Sequence, residues 1–192
     1  GTVAAVGPDV STFFVGQRVF TPSDHGQGKA GSYAEYVIAS EASVAAIPDT
    51  MDFATAAALP VAALTAWQAL FDTDRGALSL PGNERDQDQL SSAGESHTVM
   101  INGGAGGLGG FAIALAHWAG CTVAATCGAS NLEYVEKLGA DVAIDYTTQP
   151  VKSALLRHFP QGVDLLVDCV GASSLPEPLG LIREGGTLIS IP

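Results

Sequence analysis

The sequence predicts an α/β protein in which a doubly wound parallel sheet follows a smaller region of β structure. Two observations predict this class. After residue 97, continuous apolar runs alternate with helical patterns, whereas before residue 48 the apolar runs are short and are interrupted by turn residues. Continuous apolar strands are typical of a parallel sheet covered on both faces, and their alternation with helices indicates double winding.

The composition limits the partners of the chain. Its 192 residues are 47% hydrophobic, which suffices for the cores of one or two small domains. Eight basic and twenty acidic residues give a net charge of -12, so we expect neither nucleic acid nor an anionic membrane as a partner. No apolar run reaches the ~18 residues of a membrane-spanning helix. A homo-oligomer is compatible with the sequence.

Five apolar runs are predicted to form the parallel sheet. They are Thr98–Asn102, Cys121–Thr126, Val142–Ile144, Val163–Val167 and Gly186–Ile191. Apolar residues at helical spacing predict one helix over Leu108–Ala119 and another that starts at Asn131 and stops at Gly139.

The region before this sheet is predicted to contain short antiparallel strands and two helices. The strands are expected at Val15–Phe20, Gly31–Ile38 and Ser43–Ile47. One helix is expected after Asp52, ending at Leu59, and the other at Ala63–Phe71. Residues 72–97 have little periodicity and are rich in Gly, Ser, Asp and Gln, which favours a polar surface loop or insertion. The expected domains are therefore 1–71 and 98–192, separated by this loop.

Three cysteines indicate the cellular compartment. Cys121, Cys127 and Cys169 are odd in number and lie in or beside apolar runs, so a disulfide framework is not expected. This favours a reducing cytoplasm. Strand-like runs at both ends, Thr2–Val6 and Thr187–Ile191, lead us to expect that the chain is a piece of a longer protein.

A glycine-rich segment lies between the first predicted strand and helix of the sheet. It contains the pattern GxGxxG at Gly104, Gly106 and Gly109. Glycines at this spacing allow a tight turn, let backbone N–H groups reach a pyrophosphate and let the helix approach the strand. Because a strand precedes the motif and an amphipathic helix follows it, we predict a dinucleotide site. The alternative is a purely structural glycine turn.

The turn after the second strand bears on the choice of coenzyme. An Asp or Glu there would bind the adenosine ribose 2′-hydroxyl of NAD, but the residues after Thr126 are Cys, Gly, Ala, Ser130 and Asn131. The missing carboxylate favours NADP over NAD, although the turn also lacks a Lys or Arg for a 2′-phosphate. Ser130 is a candidate contact, and Asn131 is either a contact or the N-cap of its helix.

Metal chemistry is not expected in this chain. The sequence has no CxxC, HxxxH or HExxH pattern, and its first cysteine is Cys121. A cysteine-rich structural zinc site is therefore excluded at the level of the sequence.

These residues resemble the medium-chain dehydrogenase/reductase superfamily, specifically its zinc-free quinone oxidoreductase-like branch. That family has a GroES-like β domain and a Rossmann-like domain. The segments that carry the resemblance, in the family's order, are Val15–Phe20, Gly31–Ser40, Ala56–Leu70, Gly103–Gly110, Leu138–Tyr146 and Val163–Gly171.

The resemblance implies roles for residues inside and outside the glycine motif. It places Thr65 near the nicotinamide and its phosphate, Tyr146 at the 2′-phosphate, and Val170 and Gly171 beside the nicotinamide ribose. Backbone donors to the pyrophosphate are implied at Gly106, Gly107 and Leu108. The expected cofactor-binding set is Thr65, Gly104, Ala105, Gly106, Gly107, Leu108, Gly109, Ser130, Asn131, Tyr146, Val170 and Gly171. No catalytic residue is predicted.

The function implied by the resemblance is zinc-free transfer of a hydride from NADPH to a quinone or an activated alkene (enone). A relative of the zinc-dependent branch would carry a cysteine within Pro60–Ala63, and none is there. Two alternatives stay open. One is a nucleotide-binding chain without turnover, or an interaction module; the other is a zinc-type alcohol dehydrogenase relative.

Overall fold

The computed structural model describes residues 1–23, 25, 26, 29–72, 78, 97–171 and 173–191. It divides into two compact units, Gly1–Leu64 and Thr65–Pro192. None of the helices in the described ranges has the length and apolar character needed to cross a bilayer.

Nine strands and five α-helices are described. The strands are β1 (Val19–Phe20), β2 (His25–Gly26), β3 (Lys29–Ala30), β4 (Ala45–Ala46), β5 (Thr98–Asn102), β6 (Thr122–Cys127), β7 (Val142–Asp145), β8 (Val163–Asp168) and β9 (Ile182–Ser190). The helices are α1 (Phe53–Ala58), α2 (Ala62–Phe71), α3 (Gly107–Trp118), α4 (Leu132–Lys137) and α5 (Val151–His158).

The second unit is built around a five-stranded parallel sheet. The strand order is β7-β6-β5-β8-β9, and each neighbouring pair is parallel. The chain therefore starts at the central strand β5 and winds outward in both directions, which confirms the predicted doubly wound α/β fold.

Both faces of this sheet are buried in separate hydrophobic cores. On β5, Val99 and Ile101 belong to one core and Met100 to the other, and all three are fully buried. Helices α2, α3 and α4 contribute to the first core and α5 contributes to the second. The continuous apolar character of the strands follows from this double coverage.

The buried face of helix α3 differs in part from the one expected. The apolar pattern predicts that Leu108, Phe111, Ala112, Leu115 and Ala119 are buried. Ala112 is buried, but the other buried positions are Gly109, Gly110, Ile113 and Ala116. The large side chains pack only at the margin of the core. The small residues lie innermost because they allow the helix to approach the loop that precedes it.

The last strand, β9, starts at Ile182, four residues before the predicted start. Its pairing with β8 is irregular, since Val163 pairs with Ile182 but Leu165 pairs with Thr187. Gly185 has a positive φ of 78°, and a Cβ on Gly186 would lie 2.9 Å from the Asp164 carbonyl oxygen. These glycines permit the bulge.

The first unit contains less regular β structure than the sequence indicates. The β1 and β4 strands pair antiparallel, as do β2 and β3. The strand predicted at Gly31–Ile38 is wrong, because these residues carry no strand. Tyr33 and Ile38 are fully exposed, and this segment pairs with no strand in the described part of the chain. An apolar alternation forms a strand only where a backbone partner is present.

The sequence places the predicted helix Ala63–Phe71 in the first region, whereas Ala66, Leu70 and Phe71 of the observed helix α2 pack in the core of the second unit. The polar loop predicted at residues 72–97 lies outside the described residues, except for positions 72, 78 and 97. Leu78 is buried in the same core, and its N–H donates to the Leu70 carbonyl at 3.0 Å.

We predict that Leu165→Ala lowers the free energy of unfolding by about 2–5 kcal/mol, because Leu165 is fully buried on the strand beside β5. The matched control is Leu179→Ala, which removes the same atoms from a side chain that is 74% exposed. It should change stability by less than about 0.5 kcal/mol. Urea denaturation of both variants measures the difference, and equal midpoints would contradict the assigned core.

Candidate functional site

The glycine loop, residues 103–106, connects β5 to α3. Gly103 has a positive φ of 83°, which favours glycine at this position. The Gly106 N–H donates to the Gly103 carbonyl at 3.0 Å and closes the turn. The Gly104 N–H donates to the Thr126 carbonyl of β6 at 2.8 Å. The loop is thus fixed to the neighbouring strand by its backbone.

Two glycines of the motif are required by close packing. A Cβ on Gly109 would lie 2.2 Å from the Gly103 carbonyl oxygen, and one on Gly104 would lie 2.8 Å from the Ile113 Cδ1. At Gly107 a Cβ would meet no atom of the described residues within 4 Å. Gly104 and Gly109 therefore hold helix and loop together, whereas Gly107 faces open space.

The first turn of α3 offers backbone donors. The N–H groups of Gly107, Leu108 and Gly109 have no acceptor among the described residues, as expected at a helix start. The Gly106 N–H is already used within the loop, which leaves Gly107 and Leu108 of the three expected donors. A twelve-residue helix that begins in free N–H groups attracts an anion.

The turn after β6 lies beside Tyr146. Residues Ala129–Asn131 form a 3-10 turn before α4, Ser130 is exposed, and the Asn131 side chain makes no capping hydrogen bond. Tyr146 is 59% exposed, and its hydroxyl lies 3.8 Å from the position of a Cβ on Gly128. The structure thus brings Tyr146 to the turn that carries Ser130.

A carboxylate at the end of β7 is engaged within its own turn. Asp145 Oδ1 accepts from the Thr147 hydroxyl at 2.7 Å and from the Thr147 N–H at 2.9 Å, and Oδ2 accepts from the Thr148 hydroxyl at 3.1 Å. The bonds from Thr147, above all the one from its hydroxyl, lower the pKa of Asp145. This carboxylate stabilises the turn that presents Tyr146.

The loop after β8 packs on the glycine loop. Val170 is 54% exposed and Gly171 has a positive φ of 107°. The Val170 Cγ2 would lie 2.5 Å from a Cβ on Gly103. Of the expected site residues, Val170 is therefore in direct reach of the glycine loop.

Thr65 is placed on α2, where it is half-buried. Its hydroxyl has no hydrogen-bond partner in the described ranges, so it does not bond back to its own helical turn. No hydrogen bond joins Thr65 to the glycine loop.

A hydrogen-bonded group below these loops was not assigned from the sequence. We call Asn102, Thr126, Asp168 and Ser174 the polar edge network. The Thr126 hydroxyl donates to Asn102 Oδ1 at 2.7 Å, and Asn102 Nδ2 donates to Asp168 Oδ1 at 2.8 Å and to Ser174 Oγ at 3.0 Å. The sequence contains a signal for this network, because three adjacent apolar strands end on or next to a polar residue.

The cysteines do not provide a nucleophile. Burial raises the pKa of the Cys169 thiol to about 12 and that of Cys121 to about 11, and burial also raises the pKa of Cys127. All three are free thiols. Because the thiolate is the reactive form, these raised pKa values disfavour a nucleophilic role for the three cysteines at neutral pH. Within the described ranges, no three His, Cys, Asp or Glu side chains lie close enough to hold a metal ion.

Family models match both units of the chain. The model described as "Alcohol dehydrogenase GroES-like domain" matches residues 1–49, and the one described as "Zinc-binding dehydrogenase" matches residues 107–191. The chain belongs to the medium-chain dehydrogenase/reductase superfamily. The predicted superfamily and the GroES-like first region are thereby confirmed.

Quinone oxidoreductase-like members of this superfamily are among its relatives. The chain is 37% identical to the "Chloroplast envelope quinone oxidoreductase homolog" of Arabidopsis thaliana, over 100% of this chain and 54% of that protein. It is 34% identical to the "NADPH-dependent alkenal/one oxidoreductase, chloroplastic" of the same plant, over 100% of this chain and 45% of that protein.

A solved structure, the quinone oxidoreductase from Coxiella burnetii, superposes with a TM-score of 0.79 at 30% identity, over 100% of this chain and 53% of that one. The chain spans about half the length of the relatives it matches.

We predict that Gly109→Ala lowers the free energy of unfolding by about 1–3 kcal/mol, because the new methyl group would collide with the Gly103 carbonyl. Gly107→Ala is the matched control on the same helical turn and should stay within about 1 kcal/mol of wild type. Thermal unfolding compares the two variants. Equal melting temperatures would show that α3 does not approach the loop as described.

Proposed function

We propose that this chain binds NADPH and belongs to a reductase that acts, without zinc, on a quinone or an activated alkene. The observation that carries the proposal is the glycine loop. Helix α3 begins with the N–H groups of Gly107 and Leu108, which have no acceptor in the described part of the chain, and a Cβ on Gly107 would meet no described atom within 4 Å. This is the arrangement that a pyrophosphate requires.

The residues present fit a dinucleotide along the carboxyl edge of the sheet. Gly107 and Leu108 would hold the pyrophosphate, with Gly104, Ala105, Gly106 and Gly109 shaping the loop. On one side Ser130, Asn131 and Tyr146 would contact the adenosine end, and on the other Val170, Gly171 and Thr65 would contact the nicotinamide end. The chemistry that bound NADPH supplies is a hydride; the protein supplies binding and orientation.

Preference for NADPH over NADH is proposed from the turn after β6. No carboxylate follows β6 within Cys127–Asn131, and the Asp145 carboxylate on the next strand is occupied by Thr147 and Thr148. A 2′-phosphate beside Ser130 would therefore meet hydroxyl and amide groups and the Tyr146 ring without a free carboxylate in this turn.

The substrate class is supported by the relatives. Proteins named for quinone and for alkenal/one reduction match the full length of this chain. The zinc-free mechanism rests on the sequence, which has no cysteine in Pro60–Ala63. A cytoplasmic location stays a prediction, and both plant relatives are named as chloroplast proteins.

The test is a titration of the purified chain with NADPH and NADH, followed by nicotinamide fluorescence and by thermal stability in the same samples. We expect NADPH to bind more tightly and to raise the melting temperature more at equal concentration. Binding of neither coenzyme would overturn the proposal and favour a structural glycine turn. Tighter binding of NADH would overturn the coenzyme preference alone.

We predict that Ser130→Glu shifts the ratio of NADPH to NADH affinity about tenfold or more towards NADH. A carboxylate in this turn would repel the 2′-phosphate and could accept a bond from the 2′-hydroxyl. The control is Ser153→Glu, which adds the same charge at an exposed position of α5. An unchanged ratio in Ser130→Glu, measured at fixed ionic strength, would remove Ser130 from the site.

A further inference from the structure

The polar edge network connects three strands of the sheet through buried side chains. Asn102 lies at its centre, on β5, between Thr126 of β6 and Asp168 of β8. These three residues are at most 5% exposed. Asn102 uses its carbonyl oxygen towards Thr126 and its amide nitrogen towards Asp168, so one side chain joins the two outer residues.

Each outer residue also holds a loop of the proposed site. The Thr126 hydroxyl accepts the N–H of Gly103, the first residue of the glycine loop, at 2.9 Å. Asp168 Oδ1 accepts the N–H groups of Val170 and Gly171, both at 3.1 Å. The Gly103 N–H is therefore linked to residues 170 and 171 by an unbroken series of hydrogen bonds, of which the two made by Asn102 to Thr126 and Asp168 are buried.

The fourth residue secures the far end of the same loop. The Ser174 hydroxyl donates to the Gly171 carbonyl at 2.8 Å and accepts from Asn102 Nδ2 at 3.0 Å. Residue 171 is thus held through both its N–H and its carbonyl. Ser174 is itself exposed, and its bond to Gly171 lies at the surface. The bonds among Asn102, Thr126 and Asp168 lie in the low-dielectric interior, where a satisfied network restricts its members to one arrangement.

We propose that Asn102, Thr126 and Asp168 are positioning residues that set the distance between the glycine loop and residues 169–171, so that both halves of one dinucleotide are held at once. This rests on the proposed function, in which the glycine loop takes the pyrophosphate and Val170 and Gly171 take the nicotinamide half. When the loops are already held in place before a ligand binds, less of the binding free energy is lost to ordering them.

The proposal predicts a selective effect on two ligands. NADPH would contact both loops, whereas adenosine 2′,5′-bisphosphate, which lacks the nicotinamide half, would contact only the glycine loop and the adenosine pocket. Weakening the network should therefore reduce the affinity for NADPH much more than that for the bisphosphate. General damage to the fold would reduce both affinities together.

The main variant is Thr126→Val, which keeps the side-chain shape and removes the hydroxyl that donates to Asn102 and accepts from Gly103. We expect NADPH to bind about tenfold more weakly and the bisphosphate less than about threefold more weakly. Thr126→Ser restores the hydroxyl and should return NADPH affinity to within about threefold of wild type.

The matched control is Thr98→Val, at the opposite end of β5. The Thr98 hydroxyl also makes one donated and one accepted bond, both with Asp164, but it touches neither loop. It should leave both affinities within about threefold of wild type. Asn102→Ala cuts the same network while leaving the Thr126 to Gly103 bond, and it should reproduce the selective loss.

The outcomes separate the two proposals. Wild-type chain that binds neither ligand overturns the proposed function and this inference together. If wild type binds both ligands, any of three results overturns the positioning role alone. The first is an equal loss of affinity for the two ligands in Thr126→Val and Asn102→Ala, and the second is an unchanged NADPH affinity in these variants. The third is an effect of Thr98→Val as large as theirs. Circular dichroism at the assay temperature shows whether each variant is folded; if Thr126→Val is not, Asn102→Ala decides by the same ratio.

Discussion

The close contact between α3 and the loop that precedes it constrains the rest of the second unit. A Cβ on Gly109 would lie 2.2 Å from the Gly103 carbonyl oxygen, so a side chain at residue 109 would force the helix and the loop apart. This contact fixes where α3 begins, and hence where its free N–H groups lie. It also explains why Gly110, Ala112 and Ala116 form the buried face of the helix, because larger residues there would move α3 off the sheet.

The strand pattern of the second unit could be predicted because it depends on burial alone. Thr98–Asn102 matches its predicted bounds, and the strands from Val142 and Val163 begin at the predicted residue. A continuous apolar run indicates that both faces of the strand are buried, and this burial is a property of the whole sheet. The prediction of a strand at Gly31–Ile38 was wrong because an alternating pattern indicates one buried face but does not provide a neighbouring strand to pair with. Tyr33 and Ile38 are exposed.

The candidate site was predictable where a single segment carries the signal. Gly104 and Gly109 follow from the motif, because their roles are local to one turn and one helix. The links between Asn102, Thr126 and Asp168 join residues 24 and 66 positions apart. No spacing rule connects such residues; only the strand order does, by placing β5 between β6 and β8. The use of the Gly106 N–H within the loop likewise depends on backbone geometry that the motif does not state.

Side-chain hydrogen bonds join β5 and β8 at both ends of the strand pair, but only the bonds at one end continue into a loop. Thr98 bonds to Asp164 at one end and Asn102 to Asp168 at the other, each pair 66 residues apart. A slip of one residue would break both pairs, so they fix the register of the central strands. At the first end Asp164 also pairs with Arg183 of β9 and stays within the sheet. At the second end Asp168 also accepts the N–H of Val170 in the following loop. The same carboxylate therefore fixes both the register of the two strands and the position of the loop.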